Sequence, residues 1–521
     1  KWVFPACACS LPFRTLSPSS RQGTPTSIGI GLGMGGDCAP PEAPAAKRQV
    51  EAIPGLSPLG NLDFQSNEPL VVDESASIVS GKFHDGKAKT LKELGVRSAL
   101  GVIGEGTYGR IYKGTMKGKA IAVKQYLKGF HITSFREAVI MRYFTALRRS
   151  ERPGPDAHWP LAECLKVARP NDENEEICVV MPFCPYDLYG LIKSGDAAQL
   201  NLAAIKSIMR DIVDGVDIMH RFKHLHRDLK SSNILINAKG RAIITDFGMT
   251  RRLPLNHPST PQQIKTHENN KDGTGDARRM GRKPLSPKPS TRWYIAPELL
   301  LKDQYYSLPS DIFAMAAVFI DLIAGKAPFV LEKHHDKDSA DYQYLTQQLQ
   351  TLGVPTAKDW PRGVQLVADL NREKKGTWAA PSADTCLSIS VHEALDRLIR
   401  RRFSSEYSAY PESCKALVNV LTHMMALNPA KRYRTGQLLR HPFFNDSLLP
   451  RASPPTNLPD KSVLDKSVAR LTGGQGSFVL YGNLFKQLQE DKDRDRQRRG
   501  PKEAYRSRSH GAPIRRPHHH K

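Results

Sequence analysis

The chain has 521 residues, 40% of them hydrophobic, with a formal net charge of +24 and a pI near 9.7. That length and apolar content allow a sizeable core with tails. Eight cysteines spread so thinly exclude a disulfide framework, and no run of about 18 apolar residues offers a membrane-spanning helix. The basic surplus admits nucleic acid, acidic proteins or anionic membrane surfaces as partners, although much of it lies outside the segments that carry chemistry.

The chain opens on Lys1, and its apolar start, broken by Pro5 and Pro12, has no clear signal-peptide core. Cys7 and Cys9 have no second pair at metal spacing. Residues 1–90 form an N-terminal extension expected to be mostly disordered, rich in Pro, Gly and Ser up to about Gly60. No internal repeat is evident.

Order is expected from Leu91. The segment LGVIGEGTYGRIYKG reads as strand, glycine turn and strand, with Gly104, Gly106 and Gly109 in G-x-G-x-x-G spacing. Glycines there let the backbone approach phosphates. A dinucleotide fold would open a helix after the last glycine, whereas β-prone Ile111 and Tyr112 follow here. AIAVK is a further strand ending in Lys124, and HITSFREAVIMRYFTAL is a helix with apolar Phe135, Val139, Ile140 and Phe144. Ser134 and Glu137 have the spacing of a capping box at its start. VVMPFCPYDL is a strand running into a proline-broken segment, and a helix from Ala203 to Arg221 follows.

The next stretch, His224 to Gly248, holds Asp228, Asn233 and Asp246 around two short β-branched runs, 234–236 and 242–244. These runs read as a hairpin with Asn233 at the start of one strand and Asp246 at the end of the other. Two oxygen ligands so placed suit a hard cation such as Mg²⁺. Asp228, on the entering loop, is placed to orient an attacking hydroxyl, and Lys230 to neutralise charge on a phosphate in transfer.

HRDLKSSN and DFG, in that order and at that separation, resemble the catalytic and metal-binding loops of protein kinases. The resemblance covers roughly Leu91 to Phe444. It implies an α+β bilobal fold, with a small β-rich N-lobe holding one key helix and a larger, mainly helical C-lobe, flanked by disordered basic tails. The implied domain is 91–444, with N-lobe 91–181, hinge 182–187, C-lobe 188–444 and an expanded activation loop 246–298; 445–521 is a basic tail.

Transferred residue by residue, the resemblance implies that Lys124 contacts the α- and β-phosphates of ATP and is held by Glu137. Ile103, Ile111 and Ala122 would line the adenine pocket from above and Leu235 from below. Met181 stands at the gatekeeper place. Backbone groups of Pro182 and Cys184 would meet the adenine edge, with only the carbonyl of Pro182 able to serve. Asp187 resembles the acid that faces the ribose. ATP and Mg²⁺ are the implied cosubstrate and cofactor, and Lys230 in D-L-K implies serine/threonine specificity.

HITSFRE and QYLTQQLQTLGVPTAKDWPRGV are similar to stretches of the cyclin-dependent kinases, which implies a cyclin-like partner. In PLSPKPSTRWYIAPE, Thr291 matches the threonine bridging the catalytic acid and lysine, and Ser286 falls at the activating phosphosite. Arg136, Arg227 and Arg251 occupy the phosphate-gathering places, so phosphorylation of Ser286 is expected to raise activity. Thr107 and Tyr108 match inhibitory phosphosites. Ile295 replaces an arginine that makes a substrate proline welcome in relatives, and it cannot donate the same hydrogen bonds.

Asp311 matches the acid that caps the catalytic loop's backbone, Phe313 stands where Trp is usual, and Arg432 is expected to pair with Glu298. The run 311–325 reads as a buried helix whose interior Asp321 argues against a membrane span. The alternatives are a kinase of the same group working without a cyclin, and a pseudokinase scaffold. The tail, with RSRS at 506–509, admits nuclear import or nucleic-acid contact, and a nuclear or cytoplasmic location is expected.

Overall fold

The computed structural model describes residues 90–97, 102–106, 109–126, 132–151, 157–168, 177–253, 292–331, 337–374, 378–445, 448 and 484–499. All of them lie in the compact unit Ser57–Lys521; the other unit, Lys1–Leu56, falls outside the described residues.

Thr90 and Glu93 bond each other's backbone N–H groups (2.7 and 3.2 Å), closing a turn where order was expected to begin. The N-lobe is an antiparallel sheet of β1 (Val96–Arg97), β2 (Val102–Gly106), β3 (Gly109–Met116), β4 (Lys119–Tyr126), β5 (Lys166–Ala168) and β6 (Cys178–Pro182). The order is β1-β3-β4-β6-β5, with β2 also on β3. The two-residue side-chain period of a strand sorts its faces. Ile121 and Val123 on β4 pack with Cys178 and Val180 on β6 and with Ala168 in the sheet's own core. Ala122, Lys124 and Tyr126 therefore share the other face. Ile111 pairs with Lys124 and Met181 with Ala122, so these residues face the same way.

Helix α1 (Ile132–Glu151) lies beside the sheet. It starts two residues before Ser134, which is buried within its first turn. The capping-box reading of Ser134 and Glu137 therefore gives way to the pairing of Glu137 with Lys124. Boundary shifts of this size are common at helix starts.

The C-lobe is mainly helical. Tyr186–Asp187 (β7) leads from the hinge into α2 (Leu188–Ser194), and α3 (Leu202–Arg221) runs to the catalytic loop. Asn201 caps α3 by accepting from Ala204 N. The expected hairpin forms: Ile234–Ile236 (β9) pairs with Ala242–Ile244 (β10), and β7 joins at Asp187↔Leu235. Ile234 and Ile236 are fully buried, which turns Leu235 to the opposite face. Leu225 on His224–Leu225 (β8) pairs with Arg251 on Arg251–Arg252 (β11).

The helix Pro309–Ala324 is apolar on all sides because it is the centre of the lobe, and Asp321 within it is buried and bonded. Among the described residues, no helix is long and apolar enough to cross a membrane. Arg432 donates to both oxygens of Glu298 (2.7 and 2.8 Å) and to three backbone carbonyls, and lies over the ring of Phe313, 5.0 Å from its centroid. The expected ion pair is thus fully enclosed. Phe313 stacks on Phe329 at 6.2 Å, so the smaller ring is accommodated where a Trp was usual.

Within the C-terminal tail, expected to lack regular structure, Leu484–Arg499 forms a helix packed near Val391–Arg402. Its long charged run hides the two leucines that give it an inner face.

Candidate active site

Lys124 Nζ lies 2.7 Å from both carboxylate oxygens of Glu137. Tyr126 donates to Glu137 Oε2 at 2.8 Å. Burial works against the Lys124 ammonium, but Glu137 and then Asp246 outweigh it and raise its pKa. The influence of Asp246 brings the strand-end lysine and the DFG loop into one site. The role of Tyr126 was missed, although its place two residues beyond Lys124 puts it on the same face of β4.

Asp246 has a left-handed backbone (φ 63°), and its carboxylate accepts from Gly248 N at 3.4 Å. Phe247 is fully buried, 5.8 Å from Phe144 on α1 and 5.7 Å from His226, centroid to centroid. Arg136 Nη1 bonds Gly248 O at 2.6 Å, so α1 holds the DFG turn by its backbone as well as by ring packing. Burial, then Arg251 and Arg227, lower the Arg136 pKa to about 10. Arg251 and Arg227, two of the arginines expected to gather a phosphate, are thus near enough to Arg136 to weigh on its charge.

The catalytic loop is held from below. Asp311 accepts from His226 N (2.9 Å), Arg227 N (3.0 Å) and His220 Nε2 (3.0 Å). Burial alone would raise the Asp311 pKa, but the His220 bond leads the contacts that lower it. This grip secures Arg227 in a left-handed conformation (φ 69°), otherwise costly for a side chain of its size. Ser231 Oγ meets Tyr294 OH at 2.9 Å, and Tyr294 donates to Asp321 at 2.7 Å, tying the loop to the segment after Thr291. Gln348 donates to Ile295 O at 2.8 Å. Neither link was read from the sequence, because both join residues far apart in the chain.

Asp228 Oδ2 takes Lys230 Nζ at 2.8 Å and Asn233 Nδ2 at 3.2 Å. Asn233 Nδ2 also bonds Asp228 O at 2.8 Å, which leaves the amide oxygen as the free end. Asp228 Oδ1 is buried and has no hydrogen-bond partner among the described residues. A buried acceptor without a partner is costly, and a hydroxyl arriving from a substrate removes that cost. Thr245 N bonds Asn233 O at 3.0 Å, so Asn233 and the residue before Asp246 are clamped together. Two oxygen donors at that clamp fit a hard cation that completes its shell with phosphate and water.

At the hinge, Met181 is buried beside Ala122 and Pro182 ends β6. Burial pushes the Cys184 thiol up to about 12, so it is a poor nucleophile. Asp187 Oδ1 accepts from Gly190 N at 2.8 Å and so caps α2 at the hinge end. Ile103 and Leu235 are half-buried. Thr107, Tyr108, Ser286 and Thr291 lie outside the described residues.

The glycines separate into two kinds. A Cβ on Gly109 would stand 2.2 Å from Gln125 O, so the strand pairing itself demands glycine. A Cβ on Gly104 meets nothing nearer than 3.7 Å, so the fold tolerates a side chain there. Gly104→Ala is therefore expected to keep the melting temperature and weaken nucleotide binding by about three- to tenfold, whereas Gly109→Ala lowers stability by about 1–3 kcal/mol. Thermal melts with nucleotide titration check both.

A model of the protein kinase domain matches residues 98–444. The mouse (Mus musculus) serine/threonine-protein kinase MAK is 25% identical over 344 residues, 66% of this chain and 44% of its own length. Cyclin-dependent kinase G-2 of rice (Oryza sativa subsp. japonica) is 26% identical over 362 residues, 68% of this chain and 42% of its own. The chain thus spans less than half of these curated relatives. A solved chain of the CAK complex from Chaetomium thermophilum bound to ATP-γ-S superposes with a TM-score of 0.51 at 22% identity, covering 70% of this chain and 94% of that one. That likeness is one of fold. With the family match spanning two thirds of the sequence, and Lys124, Glu137 and Asp246 of the motifs gathered in one site, the chain belongs to the protein kinase domain family.

Proposed function

We propose that this chain is an ATP-dependent protein serine/threonine kinase similar to the cyclin-dependent group. The observation that carries the reading is the intact Lys124–Glu137 pair with Asp246 beside it. Gly104, Gly106 and Gly109 give the triphosphate a backbone approach, and Lys124 takes the α- and β-phosphates. Asn233 and Asp246 would hold Mg²⁺, which supplies charge neutralisation on the phosphates when bound. Asp228 Oδ1 accepts the substrate hydroxyl's hydrogen and orients its oxygen for attack. Lys230, already on Asp228 Oδ2, stabilises charge on the transferring group.

The cyclin-like partner belongs to the same proposal. It rests on the HITSFRE stretch that opens α1 and on relatives named as cyclin-dependent kinases. A partner bearing on α1 acts on Glu137 and Arg136 together, and so on the lysine pair and the DFG turn. A phosphate at Ser286 would be met by Arg136, Arg227 and Arg251. Ile295, buried with its carbonyl held by Gln348, supports a substrate seat that does not require proline.

The test is transfer of labelled γ-phosphate from ATP by the purified full chain to peptide libraries, with and without co-purified partners. Serine and threonine peptides are expected to be labelled and tyrosine peptides not. Transfer to tyrosine at a comparable rate contradicts the specificity. Transfer no faster than an Asp228→Asn preparation contradicts the enzyme reading in favour of a scaffold.

A further inference from the structure

Outside the matched domain, the helix Leu484–Arg499 rests on the C-lobe helix Val391–Arg402 in a defined register. Leu484 and Leu488, one turn apart, are both 2% exposed in a segment that is otherwise almost wholly charged or amide-bearing. From there the same side continues as polar pairs. Gln489 meets Ser388 at 3.1 Å, Asp491 meets Arg401 at 3.1 Å, Lys492 meets Glu393 at 2.9 Å and Asp495 approaches Arg397 at 3.6 Å. On the lobe, Glu393, Arg397 and Arg401 recur every fourth residue and make a single stripe. Arg400, Arg401 and Arg402 crowd the last turn, where cations suit the helix dipole. Lys326 adds to this patch: burial and then Arg401 lower its pKa, and Asp491 opposes them. The lobe thus offers a stripe of one acid and two arginines, and the tail covers it with leucines followed by charges of the opposite sign.

We propose that the outer face of Val391–Arg402 is a docking site for a leucine-led helix of complementary mixed charge, and that residues 484–499 of this chain are its occupant. The ion pairs are largely solvent-exposed, so each is weak and screened by salt. Two leucines supply the apolar anchor. Most of a helix's stability in a protein comes from packing its apolar face, so the segment's helicity depends on the docked leucines. Docking and helicity rise and fall together, and the site exchanges its own segment for the same sequence offered in trans. The site masks the charged stripe and pins the tail to the C-lobe.

The test uses the full chain. Amide exchange is followed across 484–499, with Pro309–Ala324 as an internal control of folding. In the wild type, tail amides are expected to be protected by about tenfold or more at low salt, with protection falling on raising salt to about 0.5 M. Arg401→Asp and Asp491→Arg each lower that protection by about threefold or more, and the double variant restores it, while the control helix is unchanged throughout. A labelled peptide of residues 484–499 is then titrated onto full-length Leu484→Asp/Leu488→Asp. Saturable binding is expected there, and binding at least about tenfold weaker to the wild type, whose site is filled. Unprotected tail amides in the wild type, single reversals without effect, a double variant no better than the singles, or a peptide that binds both chains alike would each overturn the proposal.

Discussion

Replacing Asp228 with asparagine lowers the phosphoryl-transfer rate of the purified chain by about 10²–10⁴ while nucleotide affinity stays within about threefold. The expectation follows from the split duties of the carboxylate. Oδ2 is engaged by Lys230 and Asn233, and Oδ1 is the buried acceptor that has no partner among the described residues. Asparagine keeps the size and can keep one oxygen toward Lys230, but it then presents an NH₂ group where the substrate hydroxyl needs an acceptor. The loop is held by Asp311 through the backbone of His226 and Arg227, so its path is preserved. The loss therefore falls on turnover. Pre-steady-state transfer with a parallel nucleotide titration separates the two, and a variant within about threefold of wild-type turnover removes Asp228 from the chemistry.

Arg432→Ala is expected to cost about 3–5 kcal/mol of folding stability. Both partners of the Glu298 pair are essentially sealed from solvent, with side-chain exposures of 0% and 2%. Removing the guanidinium leaves Glu298 charged and unpaired, and it takes a donor from the carbonyls of Ala426, Leu427 and Pro309 as well. It also opens the space over Phe313. The double variant Arg432→Met/Glu298→Leu should be far milder than either single change, because an apolar pair leaves no buried charge behind. Urea unfolding measures this; a single-variant loss below about 1 kcal/mol would mean that the pair is hydrated in solution.

Much of the site was legible because its chemistry is carried by short local motifs. AIAVK already read as a strand ending in Lys124, and the runs 234–236 and 242–244 already made a hairpin with Asn233 at the start of one strand and Asp246 just past the end of the other. Less legible was whatever depends on residues brought together from far apart. Nothing in the spacing links Gln348 to Ile295 or Asp321 to Ser231 through Tyr294. The capping-box reading of Ser134 failed because α1 begins earlier and Glu137 finds a stronger partner in a buried ammonium. The tail helix was invisible to periodicity, since two leucines among so many charges give a weak signal until the facing stripe of Glu393, Arg397 and Arg401 is known. Glycine roles were legible as a group but not singly: only packing distinguishes Gly109, where strand geometry forbids a side chain, from Gly104, where it does not.

Central to the account is that β4, α1 and the DFG turn converge on one nucleotide–magnesium complex. The most direct measurement is the ATP affinity of the full chain titrated with Mg²⁺, for the wild type and for Asp246→Asn. The account predicts that Mg²⁺ tightens ATP binding to the wild type by about tenfold or more and leaves the variant nearly unchanged. An equal response in the two proteins would contradict it.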